Sequence, residues 1–221
     1  MPLRTLPPLY AIANIDDQRD PLGYVERLLR AGARLIQIRA KSTPIDQLSD
    51  LVRAALHAAK SGTTSDSCSD RATIIVNDSV AICRATGADG VHLGQHDSDP
   101  REARELLGPD AIIGLSTHNR LDVERAQLLP IDYIGCGPIF ASPTKQGHAP
   151  EVGLDELTAI CKGSRLPVVA IGGINRSNAS AVFEAGAVAV AAISDLASAP
   201  DLGAAIAEFT RYSKRLLAPQ R

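Results

Sequence analysis

Residues 31–42 read AGARLIQIRAKS. From Leu35 the run alternates: Ile36 and Ile38 are apolar, while Gln37, Arg39 and Lys41 are long and polar. Successive strand side chains point to opposite faces, so the three polar groups share a face that lies either in water or in a pocket. Gly32 stands just before the run, where a helix C-terminus with positive φ would hand the chain to a strand. The same junction recurs in TGADGVHLG (86–94) and EAGAVAVAAIS (184–194), each with Gly ahead of an apolar run. Repeated helix-to-strand units of this kind belong to α/β folds.

Counting outward, short β-branched or apolar runs number eight: LYAIAN, LIQIRA, ATIIVND, GVHLG, AIIGLST, YIGCGPIF, VVAIGGI and AVAVAAIS. Several are apolar at nearly every position, as parallel strands covered on both faces require. Eight such units in 221 residues predict one (β/α)8 TIM barrel domain over residues 1–221. An open doubly wound sheet is the alternative, and it lacks a Gly-x-Gly-x-x-Gly turn after the first strand. Two connections are long. The Ser/Thr/Asp-rich stretch 61–70 reads as a surface insertion on the face away from the site, and 141–153, after the sixth strand, as an active-site loop.

The formal charge of −2 gives no electrostatic case for nucleic acid or an anionic membrane. No run approaches the length of a membrane span. Cytoplasmic placement, small-molecule substrates and a possible homo-oligomer are expected. Cys68, Cys83, Cys136 and Cys161 match neither a zinc spacing nor a Cys-x-x-Cys pair, and read as reduced thiols.

In a barrel the C-terminal strand ends meet at one mouth, so polar residues distant in sequence can converge there. Arg39, Lys41 and Lys145 offer donors for phosphate oxygens, the first as a planar fork and the others as point charges. Asp78 and Asp97 close adjacent strands, and Mg²⁺ takes one or two carboxylates with waters and phosphate oxygens. Asp78 could instead cap the third helix. Asp99 before Pro100 is the better cap for the fourth, which leaves Asp97 for another task. Gly172-Gly173 and Ser194 follow strands seven and eight, where such barrels hold a phosphate on backbone N–H groups, although turn chemistry alone would also explain the glycines. His118 is either a titrating group or an orienting residue for the Ser116 loop. His92 reads as part of a packed or polar barrel layer.

These motifs together resemble the thiamine phosphate synthase family over nearly the whole chain. They are QIRAK (37–41), VNDSVAICRATGADGVHLGQHD (76–97), IIGLSTH (112–118), DYIGCGPIFASPTK (132–145), VVAIGGI (168–174) and AAIS (191–194). The resemblance implies a barrel that joins 4-amino-2-methyl-5-hydroxymethylpyrimidine diphosphate to 4-methyl-5-(2-phosphoethyl)thiazole, releasing diphosphate. By that likeness Gln37, Arg39, Lys41 and Asn77 hold the pyrimidine diphosphate, Ser116 its ring and Lys145 the leaving group. It likewise gives Mg²⁺ to Asp78 and Asp97, and the thiazole phosphate to Ser142, Thr144, Gly173, Ile193 and Ser194. Arg39, Lys41, Ser116 and Lys145 are the expected catalytic set. Asn14 stands where the family commonly has Asp. Asp195 follows Ser194 where a small residue is usual, and its charge matters if the side chain faces the phosphate. A related thiazole tautomerase, which needs no diphosphate site, and a non-catalytic sensor of thiamine phosphate are the rival readings. Retention of Asn77, Asp78, Asp97 and Lys145 argues against the tautomerase, for which His118 alone would speak, and the full set of cations and carboxylates argues against the sensor.

Overall fold

All eight apolar runs form strands, in parallel and in chain order, and the sheet closes on itself. The structure is a computed structural model that describes residues 6–61, 71–141 and 150–216. The strands are β1 (Leu9–Asn14), β2 (Leu35–Arg39), β3 (Thr73–Asn77), β4 (Gly90–Leu93), β5 (Ile112–Thr117), β6 (Tyr133–Cys136), β7 (Val168–Ile171) and β8 (Ala189–Ala192). Between them lie α1 (Pro21–Arg30), α2 (Ile45–Ser61), α3 (Val80–Thr86), α4 (Pro100–Leu107), α5 (Arg120–Ala126), α6 (Gly153–Gly163) and α7 (Ala179–Glu184). After β8 come the short α8 (Ser194–Ala197) and the closing α9 (Leu202–Leu216). β1 pairs with β8 as well as β2, which makes the barrel a ring without an edge.

Alternation along β2 sorts residues as its sequence demands. Ile36 and Ile38 are fully buried between sheet and helices, packed with Val25, Leu28, Val52 and Ala55 of α1 and α2. Leu35 joins an inner cluster with Tyr10, Ile12, Ile75, Tyr133 and Val169, which fills the barrel. Two hydrophobic layers therefore share one set of strands, and burial of apolar area on both faces is the main force holding the ring closed. Bulky inner side chains need small ones opposite them. A Cβ on Gly114 would lie 2.1 Å from the Tyr133 ring and 2.6 Å from His92 Nδ1, so glycine makes the room that these rings occupy.

The three junction glycines behave as their repeat predicts, with φ of 96° at Gly32, 70° at Gly87 and 104° at Gly186. The N-terminal face of the barrel is tied by two similar devices. Asp89 accepts the Ile74 N–H at 2.8 Å and pairs with Arg71. Asp132 accepts the Ile113 N–H at 2.7 Å and pairs with Arg104 at 2.8 Å. Both carboxylates thus satisfy a neighbouring strand and sit on the face where stability, rather than catalysis, is built.

Of the stretch 61–70, Ser61 is the last residue of α2, and 62–70 lie outside the described residues. Residues 142–149 of the loop after β6 are likewise outside them. Both of its ends are pinned beside the barrel: Ile139 N–H donates to Ile171 O at 2.9 Å, and Val152 N–H to Pro138 O at 2.8 Å. α9 begins at Leu202, close to the expected 200, and buries Ala205, Ile206 and Phe209.

Candidate active site

Arg39 is the last residue of β2 and lies beside Asn14, its register partner at the end of β1. Its Nη1 donates to Asn14 Oδ1 at 2.6 Å, and the Asn14 amide in turn donates to Asp17. The Asn14 side chain, to which sequence reasoning assigned no function, therefore aims the guanidinium. Lys41 is not on the strand. β2 ends at Arg39, and Lys41 reaches the mouth from the following loop, which Asp16 holds. The Asp16 carboxylate accepts N–H groups of Lys41 at 2.6 Å, Ser42 at 3.2 Å and Thr43 at 3.1 Å, and the Thr43 hydroxyl at 2.8 Å.

Partial desolvation alone would raise the Asp16 carboxyl, but the donors from Lys41, Thr43 and Ser42 outweigh it and hold its pKa at about 2. A carboxyl depressed on folding adds stability that is complete above its ordinary pKa of 3.8 and disappears as pH falls through the depressed value. Asp16→Asn is expected to unfold earlier than the native chain above pH ~4 and to converge with it near pH ~2. Acid titrations of the two proteins by circular dichroism check this, and a constant gap across the window would contradict it.

Asp78 carries positive φ, 63°, the sole such residue other than glycine among those described. Such conformations are costly for non-glycine residues and gather at functional sites. Its N–H donates to His92 O at 2.8 Å, and its carboxylate receives the Lys41 ammonium. The helix-cap reading of Asp78 fails, because Ser79 caps α3 through the Ile82 N–H at 3.2 Å. Asp99 caps α4 as expected. Asp97 accepts the Gly94 N–H at 2.6 Å. Burial and the adjacent Asp78 carboxylate raise its pKa, against the opposing pull of the Gly94 N–H and Lys41. Two carboxylates that repel each other at a polar rim suit a divalent cation that needs only one or two of them. Among the described residues no group of three or more His, Cys, Asp or Glu side chains could hold a metal. Asn77 stands beside this rim with its buried Nδ2 unpartnered.

Below the rim a cavity of about 290 Å³ runs into the barrel. Gln37, Arg39, Asn77, Ser116 and Ile193 line it, with Ile12, Val169 and Ala191 as apolar wall. It also holds Tyr10 and Tyr133, which sequence reasoning missed although both occupy inward positions in strands of a chain with four tyrosines. His92 bonds Tyr133 OH through Nδ1 and Ser116 Oγ through Nε2, each at 3.0 Å. This matches the expected polar layer, and burial pushes its pKa down to about 4, which keeps the ring neutral. His118 orients its loop: Nδ1 donates to Gly137 O at 2.6 Å and its N–H to Asp122 at 2.9 Å.

On the β7–β8 side, Gly172 and Gly173 have φ of 100° and 63°. A Cβ would fall 2.5 Å from Pro138 at the first and 2.5 Å from Ala141 O at the second. Close approach of the β6 loop therefore accounts for both glycines with or without an anion. Gly173 and Ser194 do not line the main cavity. Ser194 and Ile193 face an adjoining one of about 260 Å³ with Asn14 and Tyr24. Asp195 turns to Arg176, Nε to Oδ2 at 2.9 Å, so its charge is paired. Ser142, Thr144 and Lys145 lie outside the described residues, as does Cys68. Burial pushes the Cys83 and Cys136 thiols up to about 12 and Cys161 to about 11, which leaves them unreactive at neutral pH.

A closed (β/α)8 ring whose strand ends bring cations and two carboxylates together above a partly apolar cavity has the architecture of a barrel enzyme with a small-molecule pocket. The chain belongs to the thiamine monophosphate synthase (TMP-TENI) family, which it matches over residues 9–196. It is 36% identical to the thiamine-phosphate synthase of Azorhizobium caulinodans over 92% of this chain and 91% of that protein. It is 41% identical to the bifunctional thiamine biosynthesis protein ThiED of Geobacter sulfurreducens over 94% of this chain, which spans 40% of that longer protein. Among solved structures, the thiamine phosphate pyrophosphorylase of Pyrococcus furiosus superposes with a TM-score of 0.84 at 30% identity, covering 97% of this chain and 99% of that one. The family and these relatives make the chain a transferase of thiamine biosynthesis.

Proposed function

We propose that this barrel joins an aminopyrimidine methyl diphosphate to a thiazole phosphate, giving thiamine phosphate and diphosphate, and that the residues of its mouth divide the work as follows. Gln37 and Ser116 orient the pyrimidine. Arg39, Lys41, Asn77 and Lys145 bind the diphosphate, Asp78 and Asp97 hold Mg²⁺, and Ser142, Thr144, Gly173, Ile193 and Ser194 receive the thiazole phosphate. The observation that carries this reading is the meeting of Arg39, Lys41, Asp78 and Asp97 at one rim directly above the cavity that Gln37 and Ser116 line.

In the proposed reaction the bond between the pyrimidine methylene carbon and the diphosphate oxygen breaks first, and the bonding electrons leave with diphosphate. The amino-substituted ring stabilises the resulting cation until the thiazole nitrogen supplies its lone pair. Charge grows on the leaving oxygens, where Arg39 and Lys41 stabilise the transition state more than the ground state. The chemistry Mg²⁺ supplies when bound is neutralisation of that same charge. No strong base is needed, and His118 Nδ1 is already committed to Gly137 O. Among the described residues no helix is long and apolar enough to cross a membrane, which is compatible with cytoplasmic work on soluble substrates.

The test is diphosphate release by purified protein given both substrates and Mg²⁺, with controls that omit the thiazole phosphate or add EDTA. Metal-dependent release with stoichiometric thiamine phosphate is expected. Folded protein that releases nothing, or that works equally well in EDTA, would overturn the proposal or its metal component respectively.

A further inference from the structure

Five side chains from five strands form an unbroken hydrogen-bonded path across the barrel. Gln37 Nε2 on β2 lies 3.0 Å from Tyr10 OH on β1, which lies 2.9 Å from Tyr133 OH on β6. Tyr133 OH is 3.0 Å from Nδ1 of His92 on β4, whose Nε2 is 3.0 Å from Ser116 Oγ on β5. Both ends, the Gln37 amide and the Ser116 hydroxyl, line the cavity, as do the three side chains between them, whose hydroxyl and ring-nitrogen atoms are taken up by the path.

Each interior member has one proton to give: a phenol donates once, and a neutral imidazole donates through one nitrogen and accepts through the other. The donors must therefore all point the same way along the path. With Gln37 Nε2 donating to Tyr10, the direction runs Tyr10 to Tyr133, Tyr133 to His92 Nδ1, and His92 Nε2–H to Ser116 Oγ. Chemistry favours this sense, because a phenol is the stronger hydrogen-bond acid of the pair and an imidazole nitrogen the stronger base. It fixes the Gln37 carboxamide one way round, with its carbonyl oxygen an acceptor and its second Nε2 hydrogen a donor each in its own place, and leaves the Ser116 hydroxyl hydrogen as a donor at the other end. Reversing either end requires the amide, both phenols and the imidazole tautomer to change together.

We infer that this path locks the polarity of the pocket, so that it selects a ring offering an amino donor to Gln37 and an unprotonated ring nitrogen to Ser116. The oxo counterpart of the same ring sets a carbonyl against the Gln37 carbonyl oxygen, acceptor against acceptor, and brings an N–H to Ser116, which can accept it only by turning its own hydroxyl hydrogen away from the ring. Tyr10, Tyr133 and His92 are positioning residues, acting through Gln37 and Ser116. The inference rests on the pyrimidine diphosphate reading above and adds a basis for choosing between an aminopyrimidine and its deaminated form.

The experiment compares equilibrium binding of the amino and the oxo pyrimidine diphosphates, with Mg²⁺, to the native chain, Tyr133→Phe and Tyr10→Phe, with inorganic diphosphate as reference. The native chain is expected to prefer the amino form by at least about thirtyfold, since mismatched buried polar groups are costly. In either variant the preference should shrink about tenfold, because the two ends no longer share one direction, while affinity for inorganic diphosphate stays within about twofold. An unchanged preference in both folded variants overturns the inference, as does a native chain that binds both rings equally. Diphosphate affinity that falls in step with the preference shows general damage and also counts against it. A native chain that binds inorganic diphosphate but neither pyrimidine overturns the substrate reading itself, and this inference with it.

Discussion

Arg39→Ala is expected to lower kcat/KM by about 10²–10³-fold while the melting temperature moves by no more than a few degrees. The guanidinium sits at the end of β2, lines the cavity, and is held by one hydrogen bond to Asn14 Oδ1. Removing it leaves no buried charge behind, because Asn14 keeps its contact with Asp17. The loss should appear in kcat, since the arginine acts where charge develops on the leaving diphosphate. Arg39→Lys should recover part of the activity, as an ammonium restores charge without the planar fork. Steady-state kinetics paired with thermal unfolding decide the matter. A variant that mainly unfolds, with normal activity in the folded fraction, would move Arg39 from the site to the scaffold.

Much of this architecture was legible locally. Alternation and junction glycines are properties of a few adjacent residues, and Gly32, Gly87 and Gly186 mark helix-to-strand turns because few other residues tolerate their φ. The Asp99-Pro100 cap is local in the same way. Parity along β2 correctly placed Gln37 and Arg39 on one face, but it overran the strand and put Lys41 there too. What escaped depends on neighbours far along the chain. Tyr10 and Tyr133 meet across 123 positions, and the pairing of Asn14 with Arg39 follows from strand register. The direction of Asp195 depended on Arg176, in another loop. Gly173 looked like an anion-binding glycine, but its lack of a Cβ is already explained by the approach of Ala141.

Asp97→Asn should separate stability from activity in opposite directions. In the native chain the Asp97 carboxyl is raised by burial and by the Asp78 carboxylate beside it, so part of its negative charge is opposed by its surroundings. The amide oxygen of asparagine can still accept the Gly94 N–H that the carboxylate accepts at 2.6 Å, and the turn from Gly94 to Asp97 should persist. Without metal, the variant is therefore expected to melt at the same temperature as the native chain or slightly above it. With Mg²⁺ the order should invert, because a cation that binds only the folded state raises the native melting temperature by mass action and finds one carboxylate fewer in the variant. Activity should fall by about 10²-fold or more, since both the cation and its effect on the leaving group depend on that pair. Melting curves at several Mg²⁺ concentrations, read beside diphosphate release, test both halves. If Mg²⁺ stabilises both proteins equally, the cation does not bind between Asp78 and Asp97, and the strain stored in the positive φ of Asp78 would then serve its contact with Lys41 alone.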